Sequence, residues 1–84
     1  MTEPVKKIHV QYYAVLREAR GLSQETVKTT AATTKELYLE LKHNFDFKLA
    51  RDLIKVAVND EFKDWETELK SGDTVIFIPP VAGG

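Results

Sequence analysis

Apolar and polar residues alternate over residues 5–14, with Ile8, Val10 and Tyr12 on one side and Lys7, His9, Gln11 and Tyr13 on the other. A period of two predicts a half-buried strand. Residues 16–23 break the alternation with Arg17, Glu18, Arg20 and Gly21, and are expected to form the loop of a hairpin. Residues 24–30 return as a second strand. Thr26, Val27, Thr29 and Thr30 favour extended backbone, and with only Val27 as a large apolar residue this strand reads as a solvated edge.

Thr33 followed three residues later by Glu36 is a capping box, in which each side chain satisfies a free backbone donor at a helix start. From there Leu37, Leu41 and Phe45 recur every four residues with Tyr38 beside them, a stripe that predicts the main helix lying across one sheet face. Residues 44–53 are short and charged and read as a loop or a helical turn. Alternation resumes at 54–59, with Val56 and Val58 on one face and Lys55 and Ala57 on the other, and Asn59-Asp60 suits a tight turn. A short fourth strand is expected within residues 62–69, then a turn at Lys70-Ser71-Gly72-Asp73.

The last strand, Thr74, Val75, Ile76, Phe77 and Ile78, is entirely β-branched or aromatic, and both of its faces are apolar, which predicts a central position. The order strand, strand, helix, strand, short strand, strand makes the fold class α+β, a mixed sheet of four to five strands with one main helix across one face. If the helix covers Val75 and Phe77, then Ile76 and Ile78 lie on the uncovered side and imply a partner. The bland alternative is that Trp65 or Tyr13 covers them.

Two domain parts follow: a globular body over residues 1–78 and an extended tail over 79–84. Pro79 and Pro80 cannot donate ladder hydrogen bonds and keep the chain extended. The six tail residues reach about 20 Å at roughly 3.3 Å each, far enough to enter another protein's pocket. Its tip, Gly83 and Gly84, is bare backbone with a carboxylate. At a glycine frequency of about 7%, such a pair arises in about one chain in 200, so the pair alone decides little.

Composition narrows the function. The 84 residues, 43% hydrophobic and 30% charged, suit one small domain near the lower limit for an unaided core. Twelve Lys and Arg against thirteen Asp and Glu leave a net charge of −1, which gives no reason to expect nucleic acid or an anionic membrane as partner. With neither a long apolar run nor a basic-then-apolar leader, a cytoplasmic location is expected. The absence of Cys excludes disulfides, thiolate metal sites and a cysteine nucleophile.

Candidate chemistry in the body is sparse. His9 and His43 lack a carboxylate at metal-ligand spacing and read as surface histidines. The acidic run Asp60, Glu61, Asp64, Glu66 and Glu68 lacks the glycine of a calcium loop and reads as a solvated hairpin. The scattered glycines make no phosphate cradle. No metal site and no bound cofactor is expected.

The run Leu69-Lys70-Ser71-Gly72-Asp73-Thr74-Val75, a short apolar strand, and then Pro79-Pro80-Val81-Ala82-Gly83-Gly84 resembles the small-subunit family of molybdopterin synthase. Tyr12-Tyr13-Ala14-Val15-Leu16-Arg17-Glu18 and Val56-Ala57-Val58-Asn59 extend the resemblance over most of the chain. It implies a ubiquitin-like β-grasp fold and a sulfur carrier that is not an enzyme by itself. A ubiquitin-activating-type adenylyltransferase would use ATP to adenylate Gly84. Sulfur from a donor protein would then give a thiocarboxylate, which donates sulfur to cyclic pyranopterin monophosphate in the large catalytic subunit of a heterotetramer. Partner contacts implied are Ile76, Ile78, Pro79, Pro80, Val81, Ala82, Gly83 and Arg17. Many relatives carry an aromatic residue just before the proline pair, where this chain has Ile78, so a smaller patch is expected. Arg17 matches a family arginine and can equally be a solvated loop charge. The alternatives are a thiamin-type carrier, against which the proline pair argues, a ubiquitin-like protein modifier, and a domain whose tail has no role.

Overall fold

The computed structural model of the chain describes residues 4–80. Its elements in order are β1 (Lys6–Tyr12), α1 (Ala14–Arg20), β2 (Gln24–Thr29), α2 (Thr34–Phe45), a 3₁₀ turn (Arg51–Leu53), β3 (Lys55–Val58), β4 (Glu61–Lys63) and β5 (Thr74–Ile78). The five strands form one mixed sheet in the order β2-β1-β5-β3-β4. Only the β1–β5 pairing is parallel. This is the ubiquitin-like β-grasp arrangement, with β5 central and β2 at an edge, as the two-sided and one-sided hydrophobic patterns require.

Helix α2 begins as its sequence predicts, although the capping box is displaced. The Glu36 backbone N–H donates to Thr33 Oγ1 at 3.3 Å, while Glu36 Oε1 accepts from the Ala32 N–H at 3.2 Å. Leu37, Tyr38 and Leu41 are buried and Phe45 is half-buried. They pack over Ile8, Val10, Tyr12, Val56, Val75 and Phe77 in a single core. The helix ends where Asp46 turns left-handed, at φ 56°.

The expected hairpin loop at residues 16–23 is a helix instead. Tyr13 and Ala14 turn the chain sharply, Ala14 at φ 50°, and α1 runs to a left-handed C-cap at Gly21, φ 81°, whose N–H donates to the Arg17 carbonyl at 2.8 Å. Seven residues are too few for a helix stable by propensity. Tertiary anchors hold it: Leu16 enters the core, and Arg20 is clamped by Glu25. The first strand is correspondingly shorter than the alternation suggested.

The β3–β4 connection is a two-residue turn in which Asn59 and Asp60 both have positive φ, 52° and 72°, the geometry that matches the twist of a hairpin. Asn59 also ties this hairpin to β5. Its Oδ1 accepts from the Thr74 N–H and its Nδ2 donates to Asp73 Oδ1, each at 3.0 Å. β4 covers only Glu61–Lys63 of the region where a fourth strand was expected; further on, Glu68 makes a single bridge to Thr33. Among the described residues no helix is long and apolar enough to cross a membrane.

Candidate functional site: the open sheet face and the tail root

Pairing registers fix which side chains share a face. On β5, Val75 and Phe77 are fully buried beneath α2, while Thr74, Ile76 and Ile78 point to the other side and are half-buried. Gln11 of β1 and Ala57 of β3 flank Ile76, Phe62 of β4 pairs with Ala57, and Lys55 pairs with Ile78. The row Gln11, Ile76, Ala57, Phe62 therefore crosses four strands on the open face. Phe62 is 71% exposed at its end.

The open patch is larger than Ile76 and Ile78 alone. Phe62 was hidden in the sequence because its neighbours are acidic and its segment reads as a solvated hairpin. The period-two register from Ala57 through a two-residue turn is the signal that assigns it to this face. Trp65 does not cover the patch. Its ring stacks on Phe77, on the helix side, with centroids 6.1 Å apart and planes 11° from parallel. Tyr13 is 48% exposed and leaves the patch open as well.

Pro79 is buried and Pro80 exposed, so the chain leaves the sheet at Pro80. Beside this tail root lies a groove of about 290 Å³ lined by Leu53, Lys55, Ile78, Pro79 and Pro80. Leu53, 56% exposed on the 3₁₀ turn, is a second apolar residue the sequence did not mark. Val81, Ala82, Gly83 and Gly84 lie outside the described residues.

Arg17 joins the same end of the molecule through topology. Because β1 and β5 are parallel, with Tyr12 opposite Phe77, both strands finish at one end of the sheet, and α1 follows β1 directly. Arg17 is exposed there, bordering a notch with Gln11, Tyr13, Ser23 and Gln24. The helix that carries it is braced from behind. Arg20 donates through Nε and Nη2 to the two carboxylate oxygens of Glu25 at 2.7 and 2.8 Å, and Tyr12 Oη donates to the same carboxylate at 2.7 Å. The Arg20 guanidinium also sits 4.0 Å above the Phe45 ring. Hydrogen bonds from Arg20, assisted by Tyr12, hold the Glu25 carboxyl below its ordinary range, whereas burial first and then Glu25 push the Tyr12 phenol up. This cluster is a strut, with each member already satisfied by the others.

Among the described residues no group of three His, Asp or Glu side chains is placed to hold a metal ion. What the open face offers is an apolar surface beside a projecting segment, the form of a docking site. One protein family matches this chain over residues 10–84, from the middle of β1 through the tail. The chain belongs to the ThiS family.

This ThiS-family chain is similar to the molybdopterin synthase sulfur carrier subunit of Drosophila melanogaster, with 33% identity over 85 residues that take in 96% of this chain and 94% of the relative. A solved complex of subunits 1 and 2 of the molybdopterin-converting factor from Helicobacter pylori includes a chain that superposes with a TM-score of 0.63 at 29% identity, covering 93% of this chain and 99% of that one. The small archaeal modifier protein 1 of Methanosarcina acetivorans, at 21% identity and a TM-score of 0.76 over 96% of this chain and 99% of its own, shares the fold.

Proposed function

We propose that this chain is the sulfur-carrier small subunit of a molybdopterin synthase, acting in molybdenum cofactor biosynthesis. The observation that carries the reading is the tail root: central strand β5 delivers Pro79 and Pro80 beside the apolar row of the open face, and the sequence continues to Gly83-Gly84. The family match and the named relatives support it.

In this reading the Gly84 carboxylate is the reacting group. Ionised at neutral pH, with a reference pKa of about 3.3 to 3.7, it is a poor electrophile. A ubiquitin-activating-type enzyme supplies the missing leaving group: a carboxylate oxygen attacks the α-phosphorus of ATP, pyrophosphate departs, and an acyl adenylate forms. Sulfide equivalent from a sulfur donor protein then adds to the carbonyl carbon and AMP leaves, giving a thiocarboxylate. The large subunit receives residues 79–84 in its active site and transfers that sulfur to cyclic pyranopterin monophosphate, with water restoring the carboxylate. The body of the chain contributes position: a rigid sheet, the patch of Ile76, Ile78, Ala57 and Phe62, and Arg17 beside the tail root.

The test is the intact mass of the protein after incubation with its activating enzyme, ATP and a sulfide source. Exchange of one oxygen for sulfur is expected, followed by loss of that sulfur when the large subunit and the pterin precursor are added. An unchanged mass in the first step overturns the carrier reading, and isopeptide conjugates to lysines in its place identify a protein modifier.

A further inference from the structure

The open face has a second half. On β1 and β2 it presents Lys7, His9 and Gln11 opposite Lys28, Thr26 and Gln24. The His9 ring and the Gln24 side chain satisfy each other at 3.0 Å. Lys7 and Lys28 do not have that option. They are direct cross-strand partners in the antiparallel ladder, both exposed, and like charges in that relation repel. Among the described residues neither ammonium group has an ion-pair partner. Asp73, whose backbone carbonyl accepts from the His9 N–H, has its carboxylate committed elsewhere: Oδ1 to the Asn59 amide and Oδ2 to the Lys70 N–H.

The isolated fold gains nothing from this pair, so its compensation lies outside the chain. We propose that Lys7 and Lys28 form a basic rim of the docking face, meeting carboxylates on the large subunit; this rests on the sulfur-carrier reading above. The geometry favours a rim position. From Ile76, Lys28 is two strands across and four residues along, about 10 Å by 13 Å at standard strand spacings. That places it roughly 16 Å from the apolar patch, which is the radius of a standard interface of about 800 Å² per partner. A protein surface fits better than a polyanion, because the two lysines continue an apolar patch and the chain as a whole carries a net charge of −1.

Rim charges act chiefly on the rate of encounter and on its salt dependence. The experiment measures association and dissociation rates of the full chain with the purified large subunit, at about 50 mM and about 500 mM salt, conditions of weak and strong screening. Lys28→Glu is expected to slow association roughly threefold to tenfold at low salt, with little difference at high salt and dissociation nearly unchanged. The charge-matched control Lys35→Glu, on exposed α2 surface behind the sheet, is expected to leave the rates near those of the unaltered chain. Lys28→Glu also relieves the like-charge pair, so its melting temperature should rise, which separates lost docking from lost folding. Equal association rates and salt slopes for Lys28→Glu and the unaltered chain overturn the basic rim alone. An unaltered chain that does not bind the large subunit overturns the carrier reading and the rim with it, and Lys28-dependent binding to a single-stranded oligonucleotide in its place points to a nucleic-acid surface.

Discussion

Trp65 lies parallel to Phe77 on the helix side of β5, 11° between their planes, while Ile76 and Ile78 face away on the open side. The large aromatic of the β4–β5 connection is thus spent on the core and the docking face is left uncovered. Trp65→Ala should cost about 2 to 4 kcal/mol of stability in urea unfolding, short of the full range for a buried Trp because the ring is half-buried. Ile78→Ser should cost less than about 1 kcal/mol yet weaken large-subunit binding by about tenfold or more, about 1.4 kcal/mol. Equal stability losses in the two variants would contradict the division between the faces.

Acid should attack the strut behind α1. Glu25 has its folded-state pKa lowered, mainly by the hydrogen bonds from Arg20, so its contribution is complete above the unfolded value of about 4.3 and is lost as pH falls through the depressed folded value. Stability measured between about pH 5 and pH 2 should therefore fall with a component that Glu25→Gln removes. At neutral pH the same substitution should cost about 1 to 2 kcal/mol, the worth of charge-assisted hydrogen bonds in a partly buried setting. A Glu25→Gln protein with the same acid slope as the parent would remove Glu25 from the account.

Asp60 holds a positive φ at the second position of the β3–β4 turn, where glycine has no steric cost. Asp60→Gly should raise stability by up to about 1 kcal/mol, read as a higher urea midpoint with unchanged slope. A lower midpoint would mean that the aspartate makes a contribution the backbone geometry does not reveal.

Under the carrier reading, removing Gly84 or adding one residue after it should abolish thiocarboxylate formation and leave the melting temperature unchanged. Retained sulfur loading in either variant would refute the role assigned to this carbon.

Much of the fold was legible because pattern and propensity agree there. Thr33 and Glu36 marked the start of α2, the two apolar sides of residues 74–78 placed β5 in the centre, and the threonines of 24–29 placed β2 at the edge. α1 was not legible. Only Leu16 of its seven residues is buried, its N-cap side chain makes no hydrogen bond, and its anchors, Glu25 and Phe45, are distant in sequence or contributed by another element. The same reason hid half of the docking face: Phe62 and Leu53 are apolar residues in charged surroundings, and only strand register and the bend at Pro79 bring them beside Ile76 and Ile78.

The parallel pairing of β1 with β5 joins positions such as Gln11 and Ile76, near opposite ends of the sequence. Contacts of such separation form only after nearly all of the chain exists, which slows folding. On a ribosome, synthesis cannot yield a closed sheet from a partial product, because the missing strand is the middle one. A nascent or prematurely terminated copy lacking β5 has its core open to proteases. The molecules that survive with a closed sheet are those in which translation has already passed Ile78, so the architecture itself proofreads for copies long enough to carry the tail.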